Sequence, residues 1–120
     1  MVDRLKVVTE KGKDVLYVDL SGLPSQNIIE IFPELNKIAF TKKIRLFIFN
    51  ITNTHTTVEV KNASKASIQE IESKLGKIAS ALFGLTGIQK IIANAISKDQ
   101  YFAKDYADAM RWVLEQSEKM

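Results

Sequence analysis

The stretch Ala81-Leu82-Phe83-Gly84-Leu85-Thr86-Gly87, followed at once by Ile88-Gln89-Lys90-Ile91-Ile92-Ala93-Asn94-Ala95-Ile96, constrains the fold more than any other. An apolar run, a Gly-x-x-Gly turn and apolar residues at helical spacing predict a short buried strand turning directly into an amphipathic helix. Such a junction sets backbone N–H groups and the positive end of a helix dipole at the carboxyl end of a strand, where open α/β sheets usually keep their binding sites. Gly84, Thr86 and Gly87 therefore form a candidate anion-binding turn. The turn lacks the Lys-Ser/Thr of a phosphate loop and the full glycine triplet of a dinucleotide site. The plainer role is the favoured one: the two glycines let the strand turn sharply into a packed helix, and Thr86 caps it.

The rest of the chain supplies the partners such a junction needs. Leu5 to Thr9 and Val15 to Leu20 are β-prone runs separated by Glu10-Lys11-Gly12-Lys13-Asp14, which predicts an antiparallel hairpin. After Ser21-Gly22-Leu23-Pro24, Ser25 is placed to cap a helix carrying Ile28, Ile29, Phe32, Leu35, Ile38 and Ala39 inward. Pro33 lies within that helix and predicts a kink or a two-piece helix, because it lacks an N–H and clashes with the carbonyl of Ile29. Ile44 to Phe49, apolar apart from Arg45, predicts a central strand covered on both faces. A Thr/Asn-rich loop, Asn50 to Thr57, follows.

Beyond that loop, Ile68, Ile71, Leu75 and Ile78 predict a long helix. Its start is marked either by the capping-box spacing of Ser67 and Glu70 or earlier, near Val58. Ser80 to Leu85 is the next strand, Ile88 to Ser97 the next helix and Tyr101 to Ala103 a last short strand. Asp105 caps a final helix with Ala107, Met110, Val113 and Leu114 inward. The resulting β-β-α-β-α-β-α-β-α order predicts an α/β domain with a mostly parallel sheet of about five strands, one antiparallel edge strand from the N-terminal hairpin, and about four helices.

Composition narrows the chemistry. At 120 residues, 46% hydrophobic and 26% charged, the chain suits one globular domain, 1–120, able to bury roughly two-thirds of its unfolded surface. Seventeen Lys and Arg against fourteen Asp and Glu leave +3, and the basic residues are spread along the chain, which argues against nucleic-acid binding. Met1-Val2-Asp3-Arg4-Leu5-Lys6 alternates charged and apolar residues rather than building a secretory h-region, and no apolar run approaches the ~20 residues of a membrane helix. A cytoplasmic location without membrane insertion is the expectation.

The chain has no cysteine and one histidine, His55, so thiolate chemistry, a His pair for metal and a Cys/His nucleophile are all excluded. The carboxylates show no metal-ligand spacing. Asp19, at the end of an apolar strand before Ser21-Gly22, suits a turn, with the lining of a shallow site as the alternative. Trp112, on the final helix, suits a ring sealing the end of a core. No enzyme, no cofactor and no metal are expected. Thr52, Thr54, Thr56 and Thr57 are the densest hydroxyl cluster, on a loop of the kind that carries partner contacts.

Four segments together resemble a known family: Val15-Leu16-Tyr17-Val18-Asp19-Leu20-Ser21-Gly22-Leu23; Ile44-Arg45-Leu46-Phe47-Ile48-Phe49-Asn50-Ile51-Thr52-Asn53-Thr54; Ala81 to Ile96; and Tyr106-Ala107-Asp108-Ala109-Met110-Arg111-Trp112-Val113-Leu114. Nearly the whole chain is similar to the STAS-like superfamily, the fold of the sporulation anti-anti-sigma factor, and within it to the small bacterial single-domain SpoIIAA-like group. The resemblance implies a non-enzymatic protein-interaction or regulatory domain. In that family a phosphorylatable Ser/Thr sits in an Asp-Ser-Ser-Gly-type motif after the central strand and docks a kinase or anti-sigma partner.

This chain has Asn50-Ile51-Thr52-Asn53-Thr54-His55-Thr56-Thr57 there, without the acidic residue or the Ser-Gly. That leaves Thr54, His55, Thr56 and Thr57 as the candidate interaction or phosphorylation loop, with Thr56 and Thr57 nearest the family's position. A protein partner and a homodimer are the expected associations. The alternative is a small-molecule or lipid-binding module, with the turn Gly84 to Gly87 on an anionic head group and Phe32 and Phe40 facing its tail.

Overall fold

The computed structural model describes residues 4–54, 57–84 and 101–120. Two strands, β1 (Leu5–Glu10) and β2 (Lys13–Asp19), form a hairpin whose connection narrows from the five residues expected to two, Lys11 and Gly12. Both hold positive φ, +50° and +76°, the left-handed pair that matches the twist of the flanking strands. The strands consequently zip to the turn. Glu10 pairs with Lys13, and the Thr9 hydroxyl donates to the Asp14 carboxylate at 2.8 Å.

From β2 the sheet continues in parallel through β3 (Leu46–Asn50), β4 (Ala79–Phe83) and β5 (Tyr101–Phe102), in the order β1-β2-β3-β4-β5. The helices are α1 (Ser25–Lys42), α2 (Val58–Leu75) and α3 (Tyr106–Glu118). These are three among the described residues; the fourth expected helix, 88–97, lies outside them. The five strands, the antiparallel edge and the element order otherwise match the expectation.

Side-chain alternation divides the core in two. Leu16, Val18, Phe47 and Phe49 face Ile28, Ile31, Phe32 and Leu35 of α1 and Ile71 of α2. Val15, Leu46, Ile48, Ala79 and Ala81 face Met110, Val113 and Leu114 of α3. With helices on both faces, β3 has nothing but buried residues up to Asn50, which is why its sequence reads as one apolar run rather than an alternation.

Several local expectations are corrected. Helix α1 runs unbroken through Pro33, not in two pieces. Pro33 points to solvent while Ile28, Ile31, Phe32, Leu35 and Ala39 are buried on both sides of it, and their packing offsets the missing hydrogen bond. Ile31 replaces the expected Ile29 in that buried set. Ser25 does not cap α1: Pro24 occupies the cap position, and its carbonyl accepts from Asn27 and Ile28 N–H at 3.0 and 3.1 Å.

Helix α2 begins at Val58, capped by Thr57, whose side chain accepts from Val60 N–H. Ser67 and Glu70 therefore lie mid-helix, not at its start. They face α1: the Ser67 hydroxyl donates to Asn36 Oδ1, and Asn36 Nδ2 donates to Glu70 at 3.3 Å. On α3, Asp105 does cap as expected, accepting from Asp108 N–H at 2.8 Å, but Ala109 takes the inward place assigned to Ala107.

Candidate functional site

Strands β2 and β3 end side by side, Asp19 opposite Asn50, and they end the same way. Asp19 Oδ1 accepts from the N–H and hydroxyl of Ser21 at 3.0 and 2.6 Å. Asn50 Oδ1 accepts from the N–H and hydroxyl of Thr52 at 3.1 and 2.7 Å. A short polar side chain that bonds its own backbone two residues on stops a strand and starts a turn. The turn role of Asp19 is thus the one observed, reinforced by Arg4, which donates to the carbonyls of Asp19 and Ser21 at 3.2 and 2.9 Å.

The two turns are tied together. Gly22 N–H donates to the Thr52 carbonyl at 2.9 Å, Leu20 N–H to the Asn50 carbonyl at 2.9 Å, and Ile51 N–H to the Phe83 carbonyl at 3.0 Å. Gly84, at φ +95°, is where the next strand passes closest: a Cβ there would collide with Thr52 Oγ1 and stand 2.8 Å from Thr52 N. This gives Gly84 a packing duty that needs no ligand. Asn53, at φ +57°, carries the chain through the tip of the loop in a left-handed conformation that asparagine tolerates better than most residues.

Of the expected interaction loop, Thr54 is buried (5% exposed), and its hydroxyl donates to the Ile51 carbonyl at 2.6 Å. Thr57 spends its hydroxyl on the α2 cap. His55 and Thr56 lie outside the described residues, as do Thr86 and Gly87 of the candidate anion-binding turn. What this corner does present to solvent is Asn53 and Val58, which is 69% exposed at the first position of α2, followed by Glu59 in the first helical turn. Composition-based reading could not single out Val58, because its exposure depends on where α2 starts.

Behind the corner, Asn50 Nδ2 donates to the Tyr17 hydroxyl at 3.2 Å. Tyr17, Phe83 and Tyr106 close into an aromatic cluster with ring centroids 5.4 to 6.5 Å apart. Burial, with Glu10 and Tyr17 nearby, pushes the Tyr106 hydroxyl above its usual titration. Of the rings assigned to a lipid tail, Phe32 is buried in the core and Phe40 lies under the Lys74 ammonium, 4.6 Å from its centroid.

Two groupings escaped the sequence. Along β5 and α3, Asp108 accepts from Arg111 at 2.6 Å and from the Tyr101 hydroxyl at 2.9 Å. Arg111 also reaches Glu115 at 2.7 Å, and Trp112 stacks on Tyr101 with centroids 5.0 Å apart. The Arg111 hydrogen bond, foremost, holds the Asp108 carboxyl below the usual carboxylate range, and the hydrogen bond to Asp108, foremost, raises Tyr101. The i,i+3 and i,i+4 spacing from Asp108 through Arg111 to Glu115 was the available signal.

At the opposite, amino end of the strands, Lys13, Lys42, Lys43 and Arg45 line a shallow groove of about 310 Å³ together with Asp14. Lys42 and Lys43 stand at the C-terminal end of α1, where cations complement the negative end of the helix dipole. Among the described residues no group of three or more His, Asp or Glu side chains is placed to hold a metal ion, and no helix is long and apolar enough to cross a membrane.

No protein-family model and no curated protein matches the chain. Among solved structures, a variant of Moorella thermoacetica RsbS superposes with a TM-score of 0.67 over 96% of this chain and 98% of that one, at 13% identity. The fold is STAS-like.

Proposed function

We propose that this chain is a non-enzymatic STAS-like regulatory domain that acts by docking a protein partner on the corner formed by the Asn50 to Thr57 loop and the first turn of α2. The observation that carries this reading is Val58. It is 69% exposed at the first position of a helix whose cap is fixed by Thr57, beside a loop pinned by the Asn50 turn, the Thr54 hydroxyl and Gly84. An exposed apolar side chain on a polar rim is the sort of anchor around which protein interfaces are built. The surrounding hydroxyls serve the scaffold: Thr52 and Thr54 stabilise the loop and Thr57 the helix.

Phospho-regulation at this corner would fall on Thr56 or Thr57, and at Thr57 a phosphoryl group would replace the cap at the positive end of α2, where negative charge is favoured. The ligand-binding alternative gains no support from Gly84, Phe32 or Phe40, each of which has a packing role.

Affinity capture from a bacterial lysate with wild type, Val58→Asp and Asn53→Arg tests the proposal. Bands retained by wild type and lost from both variants, with circular dichroism unchanged, support it. Identical bands from all three remove the corner from partner docking.

A further inference from the structure

The free edge of β1 carries a self-complementary pattern, and we infer that it is an interface for a second copy of this chain, pairing antiparallel about a two-fold axis at Val8. Among the described residues β1 is the outermost strand of the sheet, six residues long and in unbroken register with β2. It contains no proline or bulge of the kind that usually blunts an exposed edge.

Backbone geometry restricts how two such edges can join. In a two-residue hairpin the residues flanking the loop form a hydrogen-bonded pair, so Glu10, and with it Val8 and Lys6, turn their N–H and C=O toward β2. Leu5, Val7 and Thr9 turn theirs outward. An antiparallel partner must match outward residues with outward residues, which leaves two central registers, with the two-fold axis at Val7 or at Val8.

With the axis at Val8, the Val7 and Thr9 backbones of each copy exchange hydrogen bonds with Thr9 and Val7 of the other, Val8 faces Val8, and Lys6 faces Glu10 twice. Charge pairs, β-branched pairs and the ladder all agree. Lys6 and Glu10 are exposed and neither joins an ion pair among the described residues, while Val7, 38% exposed, is one of the few large apolar side chains left to solvent.

With the axis at Val7, by contrast, Lys6 would face Val8, and the partner of Glu10 would be Arg4, whose guanidinium already binds the end of β2. Opposite charges directly across an antiparallel pair stabilise it and like charges destabilise it, so the Val8 register is preferred. The reciprocal i-to-j contact pattern is what a two-fold interface requires.

Charge reversal tests this directly. A strand edge is a small interface of the weak, concentration-dependent kind, so sedimentation equilibrium is measured from about 1 μM to about 1 mM of the full chain. Wild type should dimerise within that range. Lys6→Glu and Glu10→Lys, each of which puts like charges face to face twice, should stay monomeric over it. Mixed one to one, those two single variants should pair with each other, and the double variant Lys6→Glu/Glu10→Lys should dimerise as wild type does.

Both positions are exposed, and circular dichroism is expected to be unchanged in every variant. Monomeric wild type, single variants that dimerise as wild type does, or failure of both the mixture and the double variant to restore pairing would overturn the proposal.

Discussion

Gly84 is the residue whose replacement should report most about the corner. A side chain there meets both a positive φ and the backbone of Thr52, so Gly84→Ala should destabilise the fold by about 2–4 kcal/mol, the sum of left-handed strain and overpacking. Removing the Thr52 side chain should not rescue it, because Thr52 N and Cα, at 2.8 and 2.9 Å, would still obstruct the new methyl. Urea melts of Gly84→Ala and of Gly84→Ala/Thr52→Ala check this, and full recovery in the double variant would show that only the threonine hydroxyl stands in the way.

Asp108 is the residue with a readable pH signature. Its folded pKa lies below the usual carboxylate value, so the folded state favours its ionised form. The stability it contributes is complete above the unfolded value, about 4, and is lost as pH falls through the lowered one. The Tm difference between wild type and Asp108→Asn should be present at neutral pH and close progressively in acid; a difference independent of pH would mean that charge is not what Asp108 contributes. Residues whose role is local were legible in the sequence, such as Asp105 as a cap and Asp19 as a turn former. Gly84 was legible only as a turn former, because the neighbour it must avoid is more than 30 residues away.

At the scale of the element, α1 shows the limit of propensity. Its apolar face was readable from spacing, but that Pro33 would sit inside an unbroken helix was not, since the outcome depends on what the helix packs against. Because Pro33 is exposed and α1 continues on both sides, Pro33→Ala should restore a backbone hydrogen bond to Ile29 and raise stability by about 1–3 kcal/mol in denaturant melts. A loss of stability would mean that Pro33 holds a bend α1 needs.

Ser67 and Glu70 teach the same lesson from the other side. Their i,i+3 spacing resembles a helix start, yet the same spacing also places two side chains on one helix face, and here that face meets Asn36 of α1. A double-mutant cycle with Ser67→Ala and Asn36→Ala should show coupling of about 0.5–1.5 kcal/mol between α1 and α2. Purely additive effects would make the contact incidental.

For the whole molecule, the order of elements and the central place of β2, β3 and β4 followed from chain pattern, because strands covered on both faces must be apolar throughout. Phe47, 1% exposed in β3, should cost about 3–5 kcal/mol when replaced by Ala. Phe83, near the end of the equally apolar β4 run, is only half-buried against Tyr17 and Tyr106, and its replacement should cost less. Equal losses would put both rings in one core.

The candidate site was legible as a loop but not as a surface. Which of its side chains turn inward depends on Gly84 and on the start of α2, neither of which the loop's own residues reveal. The proposed docking role of that surface is tested most directly by placing a photoreactive amino acid at position 58, and separately at the exposed Lys119 on the far end of α3, and irradiating in bacterial cells. A discrete heteromeric adduct at position 58 that is absent at 119 and disappears with Asn53→Arg is the expected result. The same adduct pattern from both positions would contradict it.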